Sequence, residues 1–405
     1  MHTLFAAENV PAPLFMAAQT AVAAFLICTT PKSSFLRPAS LPILIALMYL
    51  SWKAAPAFTL QGVLYSFWWV GPYANIYHCL NNLCLHPLDD EAIRHEMRLQ
   101  HTPLDLGLFN RVLFTIRMLF SFRGIGTSHQ ISYIPPFPGN VVPSRSRFLL
   151  RQCSLIMVQY LMMDLLASSP PPPDVVDSWA AGKEWLWIRS LNPHPVTLDD
   201  LRSRLIGCVM NWYVLGRVMN DIWYRVFSVV CVGLRISEPK QWPPCYGHYS
   251  DTDTLRGYFG KFWHQTLRWP FHGVASFISL QVLGLPRGSA SRYTNLFIVF
   301  FLSGSLHSIL DVAFGGRWYP AGGLLCFSVF LPAGIMFEDG VQWIWRRCFG
   351  PRKEGGWMGR IIGHLWVVFY LALVTPVFNY PLQRIEGNPT HLVPWSLVQS
   401  ISTSR

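Results

Sequence analysis

Charge is what this sequence has least of. Only 13% of its residues are Asp, Glu, Lys or Arg, against about 25% in an ordinary soluble domain. A chain so poor in solvated side chains cannot cover a globular surface in water, which excludes a conventional soluble fold. The cysteines lack a pattern. Nine stand at positions 28, 79, 84, 153, 208, 231, 245, 326 and 348, with no CxxC pair. That spacing speaks against a disulfide framework and against a metal site. Most of these thiols sit in apolar runs and read as small hydrophobes. No basic segment precedes the first apolar run, where Glu8 is the only early charge. A cleaved signal peptide is therefore not expected, and the run reads as a retained span. No internal repeat is visible, nor the paired inverted halves common in transporters.

What is there is apolar and aromatic. Hydrophobic residues make up 51% of the chain, aromatics 15%, with 17 Trp, and the mean hydropathy is +0.29. The expected fold class is all-α: a polytopic transmembrane helix bundle of about eight to ten spans, with residues 1–405 as a single membrane domain. No acidic or basic side chain lies between Glu8 and Lys32, which gives a first span; Pro38 to Trp52 gives a shorter second one. Ala54 to Leu88 is also free of Asp, Glu, Lys and Arg. Gly71-Pro72 interrupts that run and is expected to kink or end its helix. Trp68, Trp69, Tyr73 and Tyr77 suggest an interfacial aromatic belt. Phe148–Leu166, Tyr293–Leu310, Trp318–Phe337 (continuing to Trp345) and Ile361–Gln383 read as further spans. Trp269–Pro286 fits either a span or a re-entrant element. The net charge of +11 does not point to nucleic acid. Its basic residues are dispersed, with short clusters such as Arg346-Arg347 and Arg352-Lys353 that mark cytoplasmic loops or attract an anionic cosubstrate.

The polar interruptions have their own logic. Asp89 to Asp105 is a solvated, partly helical segment. Leu106 to Phe122 sets Arg111 and Arg117 among apolar residues, as in a helix lying at the membrane interface, and Arg123-Gly-Ile-Gly126 is a glycine-punctuated stop. Pro170 to Pro173 cannot sit inside a helix, so residues 169–200 form a proline-rich connector. Leu201–Leu234 is a long helical stretch in which Arg217, Asp221 and Arg225, four residues apart, share one face. Charges at membrane depth face a cavity or a helix–helix interface, and both readings fit here.

Two histidines stand out, forty-three residues apart. His307 lies about fifteen residues past Arg292 in an uncharged helix, about 20 Å along its axis. Asp311 is one turn later on the same face and is placed to accept one ring N–H, which would raise the basicity of the other nitrogen. Such a histidine suits a general base for an alcohol proton; one hydrogen-bonded between helices for packing fits the same surroundings. Ser303 and Gly304, one turn earlier, keep the helix surface small and are expected to leave room for a substrate. His264 follows Phe262-Trp263 between Lys261 and Arg268. It reads either as an interfacial anchor or as a donor to an acyl carbonyl oxygen, which gains charge in a tetrahedral transition state. Lys261, Arg268 and Arg256 are candidates to hold the phosphates of an acyl carrier. His307-Ser-Ile-Leu-Asp311 also matches the HxxxD string of soluble acyltransferases, but the membrane-type composition and the lack of a DFGWG string argue against that fold. Gly124-Ile-Gly126 precedes no βαβ pattern and is no dinucleotide site.

With these segments in view, the chain resembles the membrane-bound O-acyltransferase superfamily. It is most similar to a wax-synthase-like branch that includes fungal acetyltransferases of terpenoid and meroterpenoid pathways. Leu255-Arg-Gly-Tyr-Phe-Gly-Lys-Phe-Trp-His264-Gln265 resembles the branch's L-R-x-F-W-x-x-x-W-H-Q block, departing from it at Tyr258 and Phe259. Ser303-Gly-Ser-Leu-His307 resembles S-G-x-x-H, Arg123-Gly-Ile-Gly126 resembles R-G-x-G, and Gly334-Ile-Met-Phe-Glu-Asp339 resembles G-I-x-x-E-D. The likeness spans roughly residues 60–380. It implies a helix bundle enclosing a reaction chamber, with His307 catalytic and His264 at the superfamily's second signature position. Acetyl-CoA or another acyl-CoA is the implied cosubstrate, with no tightly bound cofactor, and a lipophilic alcohol would arrive from the bilayer. Location in the endoplasmic reticulum is likewise implied. A long-chain wax-ester synthase of the same fold and a non-enzymatic transporter are the alternatives.

Overall fold

The computed structural model describes residues 11–58, 63–104, 107–169, 173–186, 188–313, 323–350, 356–384, 393 and 395–403. All regular structure among them is helical. Six helical stretches are long and apolar enough to cross a membrane: Ala12–Thr29, Leu36–Ala55, Arg145–Ala167, Ser289–Leu310, Gly323–Phe349 and Trp357–Gln383. The chain is thus an integral, multi-pass membrane protein. The count among the described residues is below the eight to ten expected. Two candidate regions account for part of the difference. Leu201–Leu234 carries buried charge and is divided by a π-helical segment, Val209–Leu215. Trp269–Pro286 folds as a 9-residue helix, Arg268–Ser276, running into a 6-residue π segment, Phe277–Val282. That is shorter than the ~20 residues of a span, which favours the re-entrant alternative.

The residues pack as two compact units, one of 1–132 with 266–302, the other of 133–265 with 303–405. In the first, the uncharged Ala12–Thr29 helix packs against Leu41–Phe58, Val63–Leu80 and Leu108–Leu119. The core they share includes Ala23, Ile27, Leu44, Leu83, Met97 and Leu119. Gly71-Pro72 does not end its helix, which runs unbroken through Pro72 to Leu80. Packing overrides the local signal: Met16 lies so close to Gly71 that a Cβ there would be 3.2 Å from its sulfur. The helix gives way instead to a π turn at Asn81–Leu85. Asp89 caps the following Asp90–Leu99 helix by accepting from the Ala92 amide. Asp90 then binds both Arg94 and Arg111, each at 2.8 Å, which pins the amphipathic Leu108–Leu119 helix. The glycine stop is real: Gly124 and Gly126 have φ of +60° and +75°, conformations that a side chain would strain.

In the second unit, Arg145–Ala167 packs along Gly216–Gly233. There Asp221 binds Arg225 at 2.7 Å and accepts from Gln159, also at 2.7 Å, while Arg225 donates to Gln152. These two charges therefore serve a helix–helix interface. Arg217 leaves that face and lies over the rings of Tyr246, Tyr249 and Phe262. The connector after residue 169 holds a short helix, Pro173–Asp177, followed by turns. It is fastened by Arg384 to Glu184 at 3.0 Å and by Lys183 to Asp200 at 2.9 Å. Thr197 caps the Leu198–Cys208 helix in a reciprocal arrangement with Asp200. The carboxyl-terminal Leu397–Thr403 helix docks through Asp164, which accepts from the Leu397 and Val398 amides.

Gly334 shows how tightly the second unit is assembled. A Cβ there would overlap the Tyr370 ring, whose hydroxyl donates to the Phe330 carbonyl at 2.6 Å. Gly334→Ala is expected to destabilise the fold by about 1–3 kcal/mol, the usual cost of overpacking. The check is the thermal midpoint of detergent-solubilised protein, and an unshifted midpoint would show that Tyr370 moves aside freely.

Candidate active site

Both signature histidines fall in the second unit. His264 is presented by a short, tightly tied segment. Thr254 caps the start of the Leu255–Gly257 helix by accepting from the Gly257 amide at 2.9 Å. Tightness explains Gly257, where a Cβ would run into the Asp251 carbonyl. A π turn follows at Tyr258–Phe262, after which Trp263 is extended. Such turns free a backbone carbonyl from the regular ladder. Here the buried Gln265 answers that need, donating its amide to the carbonyls of Phe259 at 3.0 Å and Trp263 at 2.6 Å. Tyr258, a departure from the motif, is fully buried and donates its hydroxyl to the Trp212 carbonyl at 2.9 Å. The substitution of Tyr for Phe thus brings its own partner.

His307 lies on the Ser289–Ala313 helix. Its ring stacks on Phe327 with centroids 4.0 Å apart and planes 20° apart, and Phe378 meets it edge-on at 5.2 Å. Phe327 belongs to the π turn Cys326–Phe330, and Phe378 to the Trp357–Gln383 helix. The absence of a side chain at Gly323 lets that chain approach: a Cβ would stand 3.4 Å from the His307 Cβ. Gly304 is used differently from the expectation. The space beside it is closed by Phe327, Ser328 and the Leu324 carbonyl, all within 3.2 Å of where its Cβ would be. It serves close helix packing, not substrate room.

A chain of ring contacts through the buried Trp212 and Phe327 links the two histidines, with distances given between ring centroids. His264 contacts Trp263 at 5.5 Å, Trp263 contacts Trp212 at 5.2 Å, Trp212 contacts Phe327 at 6.0 Å, and Phe327 carries His307. Tyr246 closes the other side of His264 at 6.0 Å. Both histidines keep part of their surface accessible. Trp212, Phe327 and Phe378 carried no sequence signal, since an aromatic residue in an apolar run is indistinguishable from core. Trp212 is also fixed by donating its indole N–H to Thr375 at 2.6 Å.

The remaining predicted residues lie on different elements. Lys261 is exposed on the π turn below His264. Arg256 forms a two-pronged ion pair with Asp339, with Nε to Oδ1 at 3.0 Å. Its charge is thus matched by a carboxylate of the protein, while its side chain stays partly exposed. Arg268 opens the Arg268–Ser276 helix in the first unit. The side chain of Asp311 lies outside the described residues. No group of three or more His, Cys, Asp or Glu side chains among the described residues could hold a metal ion.

Comparison with known proteins bears on this geometry. The model of the membrane bound O-acyl transferase family matches residues 242–329, which include both histidines. Acetyltransferase pyr8 of Aspergillus fumigatus is 36% identical, over 94% of this chain and 89% of its own length. Acetyltransferase atnC of an Arthrinium species is 32% identical, over 96% of this chain and 91% of its own. Acetyltransferase ataH of Aspergillus terreus is 38% identical, over 71% of this chain and 93% of its own. No solved structure matches. Similarity to such relatives over most of the chain, with both histidines inside the matched segment, shows that this chain belongs to the membrane bound O-acyl transferase family.

Proposed function

We propose that the protein is an O-acetyltransferase that moves an acetyl group from acetyl-CoA to a hydroxyl of a lipophilic, terpenoid-type acceptor. The observation that supports this reading is the chain of ring contacts, through Trp263, Trp212 and Phe327, that links His264 and His307, each partly accessible. In the proposed reaction His307 takes the proton of the acceptor hydroxyl, and the oxygen attacks the thioester carbonyl. The carbonyl oxygen becomes an oxyanion, to which His264 donates a hydrogen bond. The tetrahedral intermediate then collapses: the C–S bond breaks, the new C–O bond remains, and the CoA sulfur receives the proton from His307. Asp311 is assigned to orient the His307 ring.

Acetyl is favoured over a long acyl chain for two reasons. The relatives are named acetyltransferases, and the groove beside Gly304 is filled by Phe327 and Ser328. The lipophilic acceptor follows from a site built of Trp, Phe and Tyr rings within an integral membrane protein. A solute-path reading loses its motive, because Asp221 and Arg225 are consumed by a helix interface. The endoplasmic reticulum is the proposed location.

Microsomes containing the protein, supplied with labelled acetyl-CoA and a panel of terpenoid alcohols, are expected to form acetate esters. Ester formation from palmitoyl-CoA in preference to acetyl-CoA would overturn the assigned donor. No ester from any acceptor on the panel would count against the acceptor class.

A further inference from the structure

The Gly334-Ile-Met-Phe-Glu-Asp339 block has no place in the chemistry above, yet its polar members converge on the segment that presents His264. Glu338 is 6% exposed. Its Oε2 accepts from the Leu255 amide at 2.7 Å and from the Trp366 indole at 3.0 Å. The Leu255 amide begins a helix and has no partner within it, so the carboxylate supplies a charge-assisted bond that the segment cannot make for itself. Asp339, next in sequence, takes both prongs of Arg256. A third hold comes from Gly363 on the Trp357–Gln383 helix: a Cβ there would strike the Asp253 carbonyl, so the two backbones touch.

Between this anchor and His264 the chain has little slack. Tyr258 N–H donates to the Thr254 carbonyl at 2.8 Å, and Trp263 N–H to the Tyr258 carbonyl at 2.7 Å. Gln265 then ties Phe259 to Trp263. A shift at Leu255 is therefore passed on to His264 without being absorbed. The same helical body continues the other way. Leu331–Phe349, which bears Glu338 and Asp339, follows directly on the π turn whose Phe327 stacks on His307. Eleven residues separate Phe327 from Glu338, about 16 Å of helix.

We propose that Glu338 and Asp339 are positioning residues: they latch Leu255 and Arg256 to the helix that supports His307, and so set the distance between the two histidines. This deepens the function proposed above and rests on its role for His264. Arg256, by this account, acts through Asp339 and not on the cosubstrate.

The test compares D339N, R256Q, R256K, the double variant R256Q/D339N and H264A in detergent-solubilised full-length protein. A displacement of about 1 Å at a reacting group lowers rate on the order of 100-fold. D339N and R256Q are each expected to lower kcat by about 10–100-fold, with KM for acetyl-CoA within about twofold of wild type. The double variant is expected to be no worse than either single one, since partners in one ion pair do not add. R256K keeps the charge but loses the fork, and is expected to fall between; it also serves if D339N fails to fold. A second readout needs no substrate: the rate at which diethyl pyrocarbonate labels His264, followed by mass spectrometry with His307 as internal reference, should change several-fold in D339N and R256Q. Additive losses, an unchanged kcat, or unchanged labelling of His264 in folded variants would overturn the latch. If H264A lowers kcat while D339N does not, the latch fails alone. If H264A itself leaves kcat unchanged, the role of His264 fails, and the latch falls with it.

Discussion

Replacing His307 with alanine is expected to lower kcat by about 10²–10⁴-fold, the contribution of a positioned general base. The acceptor hydroxyl is a poor nucleophile until its proton is taken. Among the described residues, the rings against His307 are those of Phe327 and Phe378, which can take no proton. KM for acetyl-CoA should change little, because the imidazole acts on the acceptor and not on the nucleotide. The variant should remain folded, since the lost ring leaves a void against Phe327 and exposes no charge. The measurement is steady-state ester formation alongside the thermal midpoint. Full activity in His307→Ala would remove the general base from the mechanism. His307→Gln is the companion variant: it fills similar space but takes no proton, so its rate should match that of alanine.

Replacing His264 with alanine is expected to lower kcat by about 10²–10³-fold, the cost of removing one preorganised donor to an oxyanion. The ring is held between Tyr246 and Trp263, and Gln265 fixes the backbone beneath it. That preorganisation is what gives a single hydrogen bond such weight, because no reorganisation is needed when charge develops. His264→Asn keeps an N–H donor and is expected to recover roughly tenfold of the loss. Equal rates for the alanine and asparagine variants would mean that the ring serves packing. The two histidines are also expected to fail differently: in His264→Ala the pH profile should retain the limb that reports the base, whereas His307→Ala should lose it.

Much of this was open to direct reading. Long uncharged runs must be helices in a membrane, because lipid leaves backbone groups no other partner. Ala12–Thr29, Arg145–Ala167, Ser289–Ala313 and Trp357–Gln383 lie where those runs are. Local punctuation was also legible wherever it acts locally, as in the positive-φ turn at Gly124 and Gly126. Signals that depend on a distant partner were not. Arg256 reads as a free cation in sequence, and its partner Asp339 is eighty-three residues away. Gly304 looks like room for a substrate until Phe327 and Ser328 are seen to occupy it. Gly71-Pro72 reads as a kink or an end of its helix, and the helix continues through it where the first helix packs alongside.

By itself the sequence determined the all-helical membrane architecture, through hydropathy, and singled out two candidate histidines, through the blocks around them. Those properties depend on residue type and short spacing, which a linear chain displays directly. Tertiary structure decided that ring contacts through Trp212 and Phe327 link the two histidines, and that Glu338 and Asp339 bond to Leu255 and Arg256 ahead of His264. Contacts between groups far apart in the chain depend on how helices pack, and ring stacking and ion pairing leave no periodic mark on a sequence.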